Sequence, residues 1–116
     1  MDLSHLAEIA VNALDDIKGI AITSLDVTTL TDIADYMIIC TGSSNRHVQS
    51  LADNVIRLAK EAGVSPLGIE GESGADWVLV DLGDVIVHIM LNETRERYQL
   101  EKLWAPDLQA TAINDA

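Results

Sequence analysis

The side chains best suited to chemistry lie near the middle of the chain, where two serines precede a histidine. Ser43 and Ser44 stand shortly before His47. A serine hydroxyl beside an imidazole is the core of a nucleophilic site, because the imidazole can accept the hydroxyl proton. Such a site also needs an acid that orients the imidazole, and the sequence offers no identifiable candidate. We therefore do not expect this arrangement to make the chain an enzyme.

The same segment begins at Gly42 and could instead bind an anion. It stands between an apolar run and the start of a helical pattern. Backbone N–H groups, the helix dipole and the side chains of Arg46 and His47 could therefore surround a negative charge. The alternative is a purely structural helix start in which Gly42, Ser43 and Ser44 form the turn, since no Gly-x-x-x-x-Gly-Lys or Gly-x-Gly-x-x-Gly pattern is present. The sequence leaves both interpretations of Arg46 and His47 open.

Residue types and their spacing argue against a metal site. The three histidines of the chain are His5, His47 and His88. They belong to separate elements and lack the His-Glu-x-x-His spacing, and a single cysteine cannot build a thiolate zinc cluster. Cys40 lies within an apolar run, which predicts a buried and unreactive thiol. We therefore expect neither a metal ion nor another cofactor.

The elements that position these side chains follow from hydrophobic periodicity. The spacing predicts helices over residues 3–17 and 44–62, strands over 20–27, 35–41, 65–71, 76–82 and 85–91, and one or two short helices within 92–104. The continuous apolar strand 35–41 is typical of a sheet covered on both faces. Gly and Pro within 65–71 indicate a short strand that lies at an edge or leads into a loop. The pattern predicts a single α/β domain, a mixed sheet of five strands flanked by helices, and a disordered tail over residues 105–116.

The most informative segment is a hairpin whose two-residue turn consists of Gly83 and Asp84. That turn fixes the pairing of the two strands, and it also explains the carboxylates of Asp81 and Asp84 without a metal. One face of the hairpin is wholly aliphatic and must be core. The other face pairs Asp81 with Ile86, Leu79 with His88, and Trp77 with Met90. This mixed face lies either under a helix or at the surface as a recognition patch, since Trp and Met are enriched in interface cores.

The distribution of charge along the chain favours the interpretation of the mixed face as a recognition patch. The 116 residues include 7 Lys and Arg against 19 Asp and Glu, a net charge of −12 with neutral histidines. Naked nucleic acid and anionic membranes are therefore excluded as direct ligands. Seven acidic residues but no Lys or Arg lie between Lys60 and Arg95, and an acidic rim around an apolar patch would attract and orient a basic protein partner. Because we find neither a signal-peptide pattern nor a membrane-spanning run, we expect a cytoplasmic protein.

Three ordered motifs give the chain a family likeness. They comprise residues 35–48 (DYMIICTGSSNRHV), residues 71–72 with 76–88 (GE and DWVLVDLGDVIVH), and residues 95–104 (RERYQLEKLW). Together they resemble the ribosomal silencing factor family, also called RsfS or Iojap-like. The resemblance covers residues 3–104 and implies one family domain over residues 1–104.

The resemblance also implies a function. Such a protein binds the large ribosomal subunit through the fourteenth large-subunit ribosomal protein, at the face where the small subunit docks. It thereby blocks subunit joining and represses translation under nutrient limitation or in stationary phase. It acts by steric exclusion without catalysis, and it forms a homodimer when free.

The family's fold is similar to that of nucleotidyltransferases, which suggests an alternative function. Those enzymes hold two metal ions with a paired Asp-x-Asp motif. In this chain the helix after the Gly-Ser turn offers only Asp53, Asn54 and Val55, which lack the second acid. The topology is therefore expected without the catalytic motif, and the alternative is a degenerate nucleotide-binding protein.

Carried onto this chain, the resemblance assigns the ribosomal-protein contact to the hairpin and to the segment that follows it. The expected contact residues are Trp77, Leu79, Asp81, His88, Met90, Tyr98 and Leu100. The first five form the mixed face of the hairpin, so the pairing argument indicates them independently. Trp104 is expected to anchor the last helix in the core instead.

Overall fold

The computed structural model describes residues 3–29, 34–71 and 75–99. Its elements are α1 (Leu3–Asp16), β1 (Ile20–Asp26), β2 (Tyr36–Gly42), α2 (Asn45–Glu61), β3 (Gly68–Glu70), β4 (Trp77–Asp81), β5 (Val85–Leu91) and α3 (Asn92–Tyr98). This is the predicted order of helices and strands. The expected contact residue Leu100, the predicted anchor Trp104 and the predicted tail over residues 105–116 lie outside the described residues.

The five strands form one mixed sheet in the order β1-β2-β5-β4-β3. The neighbours β2 and β5 are parallel, and the other adjacent pairs are antiparallel. All of β2 except Tyr36 is buried, which confirms that this strand is covered on both faces. The edge position predicted for β3 is also confirmed. This strand is shorter than expected, since it begins two residues after Pro66 and ends before Gly71, which has a φ of 95°.

Helices α1 and α2 pack together over one face of the sheet and bury the larger hydrophobic core. The buried apolar residues of α2 recur at helical spacing and are Val48, Leu51, Ala52, Val55 and Ala59. The amide of Asn54 is the polar exception on this face of α2, and its Nδ2 donates to the carbonyl of Ala13 at 2.7 Å. No helix in the described ranges is long and apolar enough to cross a membrane.

The hairpin of β4 and β5 has the predicted register. Trp77 lies opposite Met90, Leu79 opposite His88, and Asp81 opposite Ile86. Gly83 adopts a φ of 95°, and the N–H of Leu82 donates to the carbonyl of Val85 at 2.9 Å. Positive φ at the first central residue identifies the predicted primed turn. The aliphatic face packs against α1 and α2, so the mixed face lies on the other side of the sheet.

A smaller apolar cluster occupies that other side. Its buried members are Leu25, Val27, Met37, Ile39 and Met90, with the half-buried Trp77 packed against them. The short helix α3 begins directly after β5 and contacts both β5 and β2. The mixed face therefore does not lie under either of the two long helices.

The cysteine lies in the larger core. Cys40 is fully buried, and its Sγ stands close to the backbone of Gly19 at the end of α1. Burial raises the pKa of this thiol to about 11, so the thiol stays protonated at neutral pH. The predicted burial of the thiol is confirmed, and its raised pKa is consistent with the predicted lack of reactivity.

Candidate partner-binding site

Three rings meet on the mixed face of the hairpin, and we refer to Trp77, His88 and Tyr98 as the aromatic cluster. The indole Nε1 of Trp77 donates a hydrogen bond of 3.0 Å to Nδ1 of His88. The centroids of these two rings are 5.7 Å apart, and the planes are inclined at 53°. The ring of Tyr98 lies 5.1 Å from that of Trp77 at 47°. Tilted packing at such distances is favourable for aromatic pairs, so the three rings form one ordered unit.

The mixed face and Tyr98 together form an accessible layer and a buried layer. Tyr98 is 53% exposed, and Trp77, Leu79 and Asp81 are half-buried. These four side chains offer surface to a partner. Their combination of two aromatic rings, an aliphatic side chain and a carboxylate suits a basic protein surface.

Two of the expected contact residues lie below this surface. Met90 is 0% exposed and His88 is 6% exposed. Both belong to the inner strand β5, where the indole of Trp77 packs against the cluster that contains Met90 and also contacts the ring of His88. Met90 and His88 therefore lie beneath the accessible side chains, and their direct contact with a partner stays a prediction.

The hydrogen bond with Trp77 determines the protonation state of His88. An indole N–H can only donate, so Nδ1 of His88 must be an unprotonated acceptor and the ring proton resides on Nε2. Burial lowers the pKa of His88 to about 4, because a charged imidazolium is poorly solvated in this apolar setting. At neutral pH the imidazole is therefore a neutral acceptor.

Asp81 has a local structural role in addition to its position on the mixed face. Its Oδ1 accepts a hydrogen bond of 2.8 Å from the backbone N–H of Gly83. The carboxylate therefore closes the hairpin turn, as the sequence interpretation of this residue proposed. Its half-buried position leaves part of the side chain accessible beside Leu79.

Arg95 positions α3, and the sequence analysis did not single it out. Its Nη1 donates to the carbonyl of Ala21 at 2.7 Å and to Oγ1 of Thr41 at 3.0 Å, and its Nη2 donates to Oγ1 of Thr23 at 3.0 Å. Ala21 has a positive φ of 50° at a register shift in β1. These bonds tie α3 to β1 and β2, and Tyr98 follows on the same short helix. The one available signal was the position of Arg95 at the start of the RERY motif.

The Gly-Ser turn is organised as a helix start. Oγ of Ser44 accepts a hydrogen bond of 3.1 Å from the N–H of His47, which makes Ser44 the N-cap of α2. The N–H of Ser43 donates to Nδ1 of His47 at 2.8 Å. Because a backbone N–H can only donate, the ring proton of His47 lies on Nε2, which donates to the carbonyl of Ile17 at 2.7 Å. His47 therefore links the end of α1 to the start of α2.

The neighbouring residues of the turn are also used within the fold. A Cβ at Gly42 would lie 2.7 Å from Cγ2 of Val48 and 3.0 Å from its backbone N, so only glycine fits this close approach. Asn45 donates to Oδ1 of Asp76 at 2.8 Å and thereby joins α2 to the segment before β4. Arg46 is exposed. These contacts favour the structural interpretation of the turn.

The catalytic interpretation of Ser43 and His47 gains little from the geometry. Oγ of Ser43 does lie 3.0 Å from Nδ1 of His47. The other ring nitrogen faces a backbone carbonyl, which cannot stabilise an imidazolium as a carboxylate does. The described part of the chain also contains no group of three His, Cys, Asp or Glu residues that could hold a metal ion.

A shallow cleft lies beside the Gly-Ser turn, at the carboxyl ends of β2 and β5. It has a volume of about 410 Å³, and its lining includes Gly42, Ser43, Asn92 and Glu93. Ligands often bind at such strand ends in α/β sheets. The lining contains the carboxylate of Glu93 and neither Lys nor Arg, so its charge opposes a nucleotide phosphate.

The chain is similar in sequence and in structure to several other proteins. A family model described as "RsfS: Ribosomal silencing factor during starvation" matches residues 1–116. A ribosomal silencing factor RsfS from Haemophilus influenzae is 52% identical over 100 residues, which cover 86% of this chain and 98% of that protein. A crystal structure of a protein from Chromobacterium violaceum has a TM-score of 0.87 and 50% identity, covering 90% of this chain and 87% of that one. A mouse protein named "Mitochondrial assembly of ribosomal large subunit protein 1" is 40% identical over 73 residues, 60% of this chain and 32% of that protein.

Proposed function

Because this chain belongs to the RsfS family of ribosomal silencing factors, we propose that it silences translation by binding the large ribosomal subunit. The name of the mouse relative, which refers to assembly of the large ribosomal subunit, supports the choice of that subunit. In this proposal the protein acts in the cytoplasm, as the sequence predicts. It blocks the joining of the small subunit by occupying the joining face, without making or breaking a bond.

The observation that carries the proposal is the accessible layer of the aromatic cluster. Trp77 and Tyr98 are packed against each other at 5.1 Å, and Tyr98 is 53% exposed. Aromatic side chains that are ordered before binding are typical of the few residues that supply most of an interface's binding energy. Exposure of a paired Trp and Tyr on the sheet face away from α1 and α2 supports a docking role.

Charge supports a basic protein as the immediate partner, and we propose the fourteenth large-subunit ribosomal protein. The half-buried Asp81 lies on the mixed face, and exposed carboxylates of Asp76 and Asp84 lie just before β4 and in the turn before β5. No Lys or Arg occurs between Lys60 and Arg95, so the hairpin region carries only negative formal charge. An acidic factor can approach an RNA-rich particle if it docks on a basic protein and keeps its carboxylates away from the phosphates.

The proposed homodimer of the free protein uses the same type of surface. An exposed apolar patch is often covered by a second copy when its partner is absent. Sedimentation velocity of the free protein tests this part separately. A monomer at all accessible concentrations would contradict the dimer without affecting the ribosomal role.

The proposed docking surface is tested by co-sedimentation with isolated large ribosomal subunits. Truncation of a central aromatic residue costs about 2 kcal/mol or more, so we expect Trp77→Ala combined with Tyr98→Ala to weaken binding about thirtyfold or more. Leu67→Ala is the matched control, because Leu67 is a large apolar side chain that is 78% exposed at the edge of the sheet. The docking surface is wrong if the folded double variant binds as tightly as the control.

The nucleotide-binding alternative is tested by calorimetric titration with nucleoside triphosphates and Mg²⁺. The cleft beside the Gly-Ser turn is its only structural support among the described residues, and Glu93 opposes a phosphate there. We expect no heat of binding at millimolar ligand. A saturable heat that is lost on substitution of Ser43 would favour the alternative instead.

A further inference from the structure

We propose that His88 is a positioning residue for docking, which acts through Trp77 and does not itself touch the partner. This inference rests on the proposed docking function and names the device that orders its central aromatic side chain. The supporting observations are the burial of His88, the direction of its hydrogen bond with Trp77, and the chemistry of the side chains around it.

The first step is that His88 supplies an acceptor that its register partners on the neighbouring strands do not supply. Along the sheet its register partners are Leu79 on β4 and Ile39 on β2, and both are aliphatic. Nδ1 of His88 lies 3.0 Å from Nε1 of Trp77. Without that nitrogen, neither register partner could accept the indole proton, and an unpaired donor at a half-buried position is costly.

The second step is that this bond fixes the orientation of the indole. Trp77 packs against the cluster that contains Met90 and against the ring of Tyr98, so apolar contacts alone would permit the indole to turn its N–H toward water. The hydrogen bond to His88 selects the orientation in which Tyr98 also packs. Ordering a large side chain before association removes an entropic cost of binding.

The third step is that the acceptor persists at neutral pH. The imidazole is 6% exposed, and burial lowers its pKa, so a second ring proton is disfavoured. On the same side of the sheet Arg95 on α3 carries a positive charge and donates to Thr41 and Thr23, and the titratable groups are Asp81 on β4 and Tyr98 on α3. Neither donates to or accepts from the ring of His88 among the hydrogen bonds described for these residues, and the Trp77 bond is the polar contact that the structure shows.

The test compares two substitutions of His88 by residues that both branch at Cγ. His88→Asn retains an acceptor near the position of Nδ1, whereas His88→Leu retains a similar shape without an acceptor. Both variants are compared with the wild-type chain and with Trp77→Ala, after thermal unfolding has shown that each is folded. The two measurements are binding to isolated large ribosomal subunits and the NMR signal of the Trp77 indole N–H, which a Trp104→Phe variant assigns.

We expect His88→Leu to shift the Trp77 indole signal upfield, to accelerate its exchange with water, and to weaken subunit binding about tenfold. His88→Asn should retain the hydrogen-bonded signal and bind nearly as well as wild type. The inference is overturned if His88→Leu binds like wild type while Trp77→Ala does not, or if Asn and Leu weaken binding equally. Unchanged binding by Trp77→Ala would instead refute the docking surface, so the two failures are distinguishable.

Discussion

Two histidines in this molecule accept a hydrogen bond at Nδ1, and the identity of the donor separates their roles. Nδ1 of His47 accepts a hydrogen bond from the N–H of Ser43, and Nε2 of His47 donates one to the carbonyl of Ile17. His88 receives the indole N–H of Trp77. The first ring joins backbone to backbone, whereas the second joins the sheet to a side chain at the surface.

The difference shows that hydrogen bonds at both nitrogens of a histidine ring do not by themselves indicate a functional site. In the Gly-Ser turn the hydrogen bonds of His47, Ser43 and Ser44 are all made within the fold. In the aromatic cluster His88 accepts its hydrogen bond from Trp77. The ring of Trp77 also packs against the exposed ring of Tyr98. Changes at the turn should therefore alter stability, and changes at the cluster should alter stability and docking together.

The largest expected effect on stability is the pH dependence that His88 introduces. Its pKa is about 4 in the folded protein against 6.5 for an ordinary histidine, so between these values the unfolded chain binds the additional proton. The free energy of unfolding should therefore lose about 3 kcal/mol as the pH falls from 6.5 to 4. Above pH 6.5 this contribution is fully present.

Denaturant unfolding across that pH window, for wild type and His88→Asn, measures the effect. Carboxylates also titrate near its lower end, but they are shared by both proteins. The difference between the two curves therefore isolates His88. Parallel curves would show that the buried imidazole does not titrate as the structure indicates.

The next largest effect is expected at the turn. His47→Ala removes the acceptor for the N–H of Ser43 and the donor for the carbonyl of Ile17, which should cost about 2 kcal/mol of unfolding free energy. Binding to large subunits by the folded variant should be unchanged. A loss of binding comparable with that of Trp77→Ala would remove the distinction between the two regions and would reinstate the turn as a functional site.

The smallest effect is expected at the N-cap of α2. Ser44→Ala removes the side-chain oxygen that accepts from the N–H of His47, and loss of a serine cap costs about 1 kcal/mol. Thermal unfolding measures the change, and Ser44→Asp, which preserves an acceptor, is the control. If both substitutions destabilise the protein equally, the cap is not the source of the effect.

Much of the scaffold was predictable because it depends on local rules. The two-residue turn with Gly83 determined the register of β4 and β5, and the alternation of residue types separated the aliphatic face from the mixed one. The apolar run around Cys40 indicated a central strand, and Pro66 indicated an edge. Each of these inferences uses residues that are close in sequence, where turn chemistry and side-chain alternation act directly.

The organisation of the candidate site was less predictable because its contacts join distant segments. Arg95 reaches the carbonyl of Ala21 across 74 positions of the chain, and no periodicity signals such a bond. The pairing of β4 with β5 placed Trp77 and His88 on the same face. It did not show that the indole of Trp77 would contact the ring of His88 and donate its N–H to Nδ1 of that ring.

By itself, the sequence determined the order of elements, the hairpin register and the likeness to one family, since these depend on residue types and on spacings within short segments. Only the tertiary structure decided which residues of the mixed face stay accessible. An inner strand is covered by the side chains of its neighbours, so Met90 and His88 are buried. Trp77 begins its strand and Tyr98 lies on a short helix, and both therefore retain surface for a partner.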